Sequence, residues 1–258
     1  VLELVDSHCH VDFDPLGSDL PAVLERARAN GVSHLLCVSV TMEKFPAVRA
    51  LAREHPHIFA SVGVHPNERN GQDPSVDELV ELACEPKVVA IGETGLDYYR
   101  SDGDLAWQHN RFRNHIRAAK AANKPLIVHT RDAAADTIRI MIDEDAKSVG
   151  GVMHCFTESW ETARAALDLN FYISFSGIVT FRSADSLREV ARQVPADRFL
   201  IETDAPYLAP VPYRGKTNEP SYVRYVAECL ATLRGESLES IAQQSTQNFF
   251  RLFQAARP

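Results

Sequence analysis

The sequence predicts an α/β protein, a (β/α)8 TIM barrel forming a single domain over residues 1–258, and three observations carry that expectation. Eight short apolar runs alternate with amphipathic stretches, the order that builds a parallel sheet covered by helices. No linker, low-complexity stretch or shift in composition divides the 258 residues, a length suited to one large α/β domain. No Gly-x-Gly-x-x-Gly or P-loop follows the first run, which counts against a doubly wound open sheet.

The first predicted strand is Val1-Leu2-Glu3-Leu4-Val5, with His8 and His10 just beyond it. Asp19-Leu20-Pro21 opens a helix in which Leu20, Val23, Leu24 and Ala27 recur at helical spacing, closed by Gly31. Residues 35–40 are almost continuously apolar, as a parallel strand covered on both faces requires. A helix over 45–53 leads to a strand over 58–64 that ends at His65-Pro66. A helix over 76–84 leads to a strand over 88–92 that ends at Glu93. A long helix over 105–122 carries Phe112, Ile116 and Ala119 on one face and stops before Pro125. Strand 126–128 ends at His129; helix 132–142 and strand 151–153 follow, the latter ending at His154. Helix 159–169, strand 171–175, helix 184–194 and strand 199–202 lead to Asp204. Helices over 221–233 and 238–253 finish the chain, with Ser237 as N-cap of the second.

Hydrophobic residues make up 45% and charged residues 24%, ordinary globular values. No apolar run is long enough for a membrane span, and no basic-plus-apolar leader opens the sequence, although it begins without Met. A cytoplasmic protein with no membrane association and no obligate protein partner is the expectation. The five cysteines are odd in number and scattered, with no Cys-x-x-Cys, which favours reduced thiols. Strand alternation turns Cys9 and Cys155 away from the neighbouring histidines, so both read as buried thiols. A broad duplex-binding surface is normally basic, and the net charge here is −8. Nucleic acid would have to be engaged locally, at an end or in a pocket.

Polar residues of metal-ligand type stand at strand ends: His8 and His10, Glu93, His129, His154 and Asp204. In a barrel these ends converge on one mouth. Six ligands exceed what one tetrahedral ion with an open position takes, and suit two divalent ions sharing a carboxylate. Glu93 is the bridging candidate. His8, His10 and Asp204 would hold the first ion, and His129 and His154 the second. Catalysis is assigned to Glu93 and to Asp204, the latter as general base as well as ligand. His65, Arg131, Arg214 and Lys216 are candidates for contact with substrate phosphate. Asp6 and Glu202 share strand parity with His8 and Asp204 and read as partners behind the ligating imidazoles. His34, His55, His57, His109 and His115 read as structural or solvated.

Val5-Asp6-Ser7-His8-Cys9-His10, Gly63-Val64-His65-Pro66, Gly92-Glu93-Thr94-Gly95-Leu96-Asp97-Tyr98-Tyr99, Val128-His129-Thr130-Arg131-Asp132-Ala133, His154-Cys155-Phe156 and Glu202-Thr203-Asp204-Ala205-Pro206-Tyr207 resemble the TatD family of metal-dependent deoxyribonucleases. Residues 171–182 and 214–220 look most like its bacterial YcfH branch. The resemblance implies an amidohydrolase-superfamily barrel with two divalent ions (Zn, Mg or Mn), Glu93 standing in place of a carboxylated lysine. It also implies hydrolysis of DNA phosphodiesters as a 3′→5′ exonuclease acting on single-stranded 3′ ends. One departure follows His154, where Thr157-Glu158-Ser159 replaces the Ser-Gly-Ser of many relatives and adds negative charge near the mouth. The alternative reading is hydrolysis of another ester or an amide, such as an aminoacyl ester or lactone, on the same scaffold.

Overall fold

Eight parallel strands follow one another around the sheet in the order of the chain. They are β1 (Leu4–Cys9), β2 (Val32–Cys37), β3 (Ile58–Val62), β4 (Val88–Asp97), β5 (Leu126–Arg131), β6 (Gly151–Met153), β7 (Phe171–Phe175) and β8 (Phe199–Ile201). The computed structural model describes residues 2–256, so Val1 of the first predicted strand lies outside the described residues. The sheet closes beyond the short β8. Asp204 N donates to His8 O at 2.9 Å, and His10 N donates to Ala205 O at 2.8 Å. Cys9 and Ala205 form a parallel bridge there.

Nine helices of the described residues surround the strands: α1 (Leu20–Ala29), α2 (Phe45–Glu54), α3 (Val76–Ala83), α4 (Ala106–Ala122), α5 (Ala134–Asp143), α6 (Trp160–Asp168), α7 (Asp185–Gln193), α8 (Val223–Arg234) and α9 (Leu238–Leu252). Their ends follow local chemistry. Ser75, Ser159 and Ser237 accept from the backbone N–H three residues on, capping α3, α6 and α9. Prolines sit in the first turn of α1 and α2, where a missing N–H costs nothing. Each predicted element is present, with ends shifted by a few residues. The largest extensions are β4, which runs on through Glu93 to Asp97, and β1, which runs on through His8 to Cys9; β5 runs on to Arg131.

The core has two layers. One lies between sheet and helices. The other is the barrel interior, to which every strand sends at least one residue, among them Val5, Leu36, Phe59, Val89, Ile127, Val152, Tyr172 and Leu200. Phe249 and Phe253 of the last helix and its exit pack into the same cluster and close the floor. Continuing the alternation from these interior residues toward the strand C-termini leads to His129, His154 and Glu202 at the mouth. No helix among the described residues is long and apolar enough to cross a membrane.

Candidate metal centre

The strands that supply the first and fourth ligand segments break their own alternation. Between Asp6 and Cys9 β1 advances three residues while β2 advances two, from Leu35 to Cys37. Between Ile91 and Thr94 β4 advances three while β5 advances two. Such bulges re-aim side chains beside active sites. In β4 the bulge needs Gly92: its φ is +142°, and a Cβ there would lie 2.6 Å from Ile127 O. Glu93 follows, turned into the mouth.

The β1 bulge corrects one expectation. Asp6 is out of phase with His8 and does not support the imidazoles. Its carboxylate accepts from Thr203 N at 2.8 Å and Thr203 Oγ1 at 2.6 Å, tying β1 to the segment after β8. Burial, opposed by those hydrogen bonds, pushes the Asp6 carboxyl up to about 8. The clamp holds the backbone next to Asp204, whose φ of +56° is costly for a residue with a side chain.

Within the first set, His8, His10 and Asp204 bring donor atoms within 4.8 Å of one another. His10 donates from Nδ1 to Val38 O at 2.9 Å, leaving Nε2 to face Asp204 Oδ1 at 3.4 Å. His8 Nε2 lies 3.6 Å from the same oxygen and 3.4 Å from Glu93 Oε2. In the second set, Glu93 Oε1 lies 2.8 Å from His154 Nε2 and 3.1 Å from His129 Nδ1. The two oxygens of Glu93 thus face the two sets separately. Behind the second set stand carboxylates: His154 Nδ1 donates to Glu202 Oε1 at 3.1 Å, and Asp97 Oδ2 faces His129 Nε2 at 3.1 Å. Such partners fix ring orientation and raise ligand basicity.

The electrostatics follow from this packing. Burial works to raise the Glu93 carboxyl, but His154, His65 and His129 outweigh it and hold it well below the usual carboxylate range. Asp204 is likewise lowered, its burial overcome by His10, His8 and His154. Burial opposes charge on His129 and His154, yet the surrounding carboxylates raise both. His8 is lowered, by burial first and then by His154. Both ring nitrogens of His8 are buried without a hydrogen-bond partner. A buried polar atom left so costs about 1–3 kcal/mol. Carboxylate oxygens facing Nε2 from two directions make the donor set one that fits divalent cations, whose binding would displace protons from the imidazoles.

The mouth is a cavity of about 710 Å³. His65 and Arg131 line it, together with five of the six expected ligands; His8 lies just beneath. Arg214 and Lys216 do not line it. Both are exposed, Arg214 over the Phe181 ring at 3.7 Å and Lys216 over Tyr213 at 5.7 Å. Cys9 is buried and turned toward Leu36 O, as alternation requires. Cys155 differs from expectation: its φ of +44° breaks the alternation, and it lines the cavity half-buried. Two participants escaped the sequence reading. Asp97 sits at the extended end of β4, and Asn67 donates from Nδ2 to its Oδ2 at 2.8 Å. The signal for Asp97 was its distance of four residues from Glu93, an even number along a strand.

An eight-strand α/β barrel whose mouth gathers histidines and carboxylates into two sets around a shared glutamate is the architecture of a metal-dependent hydrolase. The chain belongs to the family described as TatD related DNase, whose model matches residues 5–254. It is 52% identical to the protein named "Uncharacterized metal-dependent hydrolase YcfH" of Escherichia coli K12, over 97% of this chain and 95% of that one. It is 35% identical to the "3'-5' ssDNA/RNA exonuclease TatD" of Escherichia fergusonii, over 97% and 98% respectively. The crystal structure of YjjV, a TatD homologue from E. coli K12, superposes with a TM-score of 0.92 at 31% identity, covering 97% of this chain and 98% of that one.

Proposed function

We propose that this hydrolase cleaves nucleic-acid phosphodiester bonds, removing nucleotides from single-stranded 3′ ends as a 3′→5′ DNA exonuclease. The observation that carries the reading is the split of Glu93, one oxygen toward His8 and the other toward His129 and His154. A shared carboxylate between two donor sets suits a pair of divalent ions. Family membership and the exonuclease relative support the substrate.

Two ions, of zinc, magnesium or manganese, would supply charge to neutralise a phosphodiester and a lowered pKa for an attacking water. His8, His10 and Asp204 would hold the first, His129 and His154 the second, and Glu93 both. Asp204 reaches the cavity surface, with 16% of its side chain exposed, where it takes the proton of the attacking water as general base. Arg131 and His65, on the cavity wall, contact the phosphate at the scissile bond. Arg214 and Lys216, outside the cavity lining, engage phosphates further along the strand. The small mouth and the charge of −8 match local engagement of an end.

End-labelled single-stranded DNA incubated with Mg²⁺ or Mn²⁺ tests this. Stepwise shortening from the 3′ end, abolished by EDTA and by Glu93→Ala, is the expected result. No metal-dependent shortening would remove the nuclease reading. Turnover of an aminoacyl ester or lactone instead would favour the alternative, which half-buried Glu158 beside Asp132 and His129 supports by placing negative charge near a phosphate's path.

A further inference from the structure

His65, Glu93 and His129 bring donor atoms within 4.8 Å of one another, so position alone makes His65 a ligand. Hydrogen bonding separates it from the others. The backbone N–H of Asn67 donates to His65 Nδ1 at 3.0 Å, so that nitrogen carries a lone pair and no proton. The proton of the neutral ring is then on Nε2, which faces Glu93 Oε1 at 3.3 Å. A ring nitrogen that bears a proton cannot ligate a cation. His129 is set the other way: its Nε2 faces Asp97 Oδ2, an ionised oxygen that only accepts, and its Nδ1 is left for the cavity.

Asn67 governs both. Its backbone N–H fixes His65, and its side chain holds Asp97, which fixes His129. The loop is itself anchored. His65 N donates to Val40 O at 2.9 Å, Glu68 N to His65 O at 3.0 Å and the Arg111 guanidinium to His65 O at 2.9 Å.

We propose that His65 is a fixed, neutral hydrogen-bond donor to an anionic oxygen of the substrate and no ligand of the second ion, with Asn67 as the positioning residue. The proposal rests on the hydrolytic reading of the site. A neutral imidazole N–H keeps its proton and stabilises negative charge as it develops on the phosphoryl oxygen. Its orientation is set before substrate arrives, which is where such donors gain their effect.

Three measurements on the full-length Zn²⁺-loaded protein test it. A two-bond ¹H–¹⁵N spectrum, assigned with His65→Gln, should show His65 protonated at Nε2. His115 serves as the opposite reference, since its Nε2 accepts from Val64 N at 3.0 Å and its Nδ1 donates to Arg111 O at 2.8 Å. After dialysis against a chelator, His65→Gln should retain the wild-type metal content while His129→Gln loses an ion. On end-labelled DNA, His65→Phe should lower kcat by about 10²-fold, with partial recovery in His65→Gln, whose amide keeps an N–H. Protonation of His65 at Nδ1, metal loss in His65→Gln equal to that in His129→Gln, or an unchanged kcat in His65→Phe would each overturn the proposal. If the wild type shortens no DNA, the nuclease reading fails by itself, and the spectrum and metal content still decide whether His65 is a donor or a ligand.

Discussion

The floor and the mouth of this barrel are built by the same strands two residues apart. Ile127 packs in the interior and His129 faces the cavity; Val152 and His154 divide in the same way, and Leu200 is followed two residues on by Glu202, buried behind His154. On the floor, aromatic rings of Phe59, Phe249 and Phe253 pack against one another and fill space. At the mouth, buried charges face one another, two strands bulge, and Asp204 and Cys155 adopt left-handed backbone angles. The floor stores stability, and the mouth spends some of it on geometry.

The sharpest separation comes from Glu93→Gln. Activity should fall by about 10⁴-fold, the scale on which residues acting as a unit fail together, while circular dichroism shows the barrel still folded. Simultaneous loss of fold would break the division. Phe249→Ala is the converse: about 4 kcal/mol of stability lost in urea titrations, with activity per folded molecule unchanged.

His115 sharpens the comparison in a third way, because it is a buried ionisable group in the supporting layer, away from the donor sets. Burial lowers its imidazole from 6.5 to about 4. Between those values the unfolded chain binds the proton and the folded chain does not. Stability is therefore full above pH 6.5 and falls by on the order of 3 kcal/mol as pH drops toward 4. The difference in urea stability between wild type and His115→Gln, followed across that window, should carry this slope. The smallest effect is expected at the partners behind the ligands. Asp97→Asn or Glu202→Gln should weaken metal retention by about 10- to 100-fold at the second set, read by chelator competition, and leave the first set unaltered.

The barrel was legible because alternation and helical periodicity are local, and the ligands because their residue types recur at strand ends. What was hidden depends on backbone that departs from the regular pattern. The bulge in β1 could not be read from Val5-Asp6-Ser7-His8, and it moves Asp6 from the imidazoles to Thr203. Gly92 and Gly95 interrupt β4 in sequence, so Asp97 looked like loop although the strand reaches it. The hold of Asn67 on His65 rests on its backbone N–H, a group every non-proline residue carries, and its side-chain hold on Asp97 depends on a strand end that the sequence did not show. Arg214 and Lys216 were placed near the mouth by their closeness to β8 in sequence, but their side chains rest on neighbouring aromatic rings.

The Asp6–Thr203 clamp spans 197 positions of the chain. During synthesis the segment carrying His8 and His10 emerges first and must wait for almost the whole polypeptide before Asp204 joins it. Such distant pairings are slow to form. A ribosome-bound or truncated chain that ends before residue 204 has no complete first donor set. The first donor set is therefore completed only when the segment after β8 closes the barrel against β1.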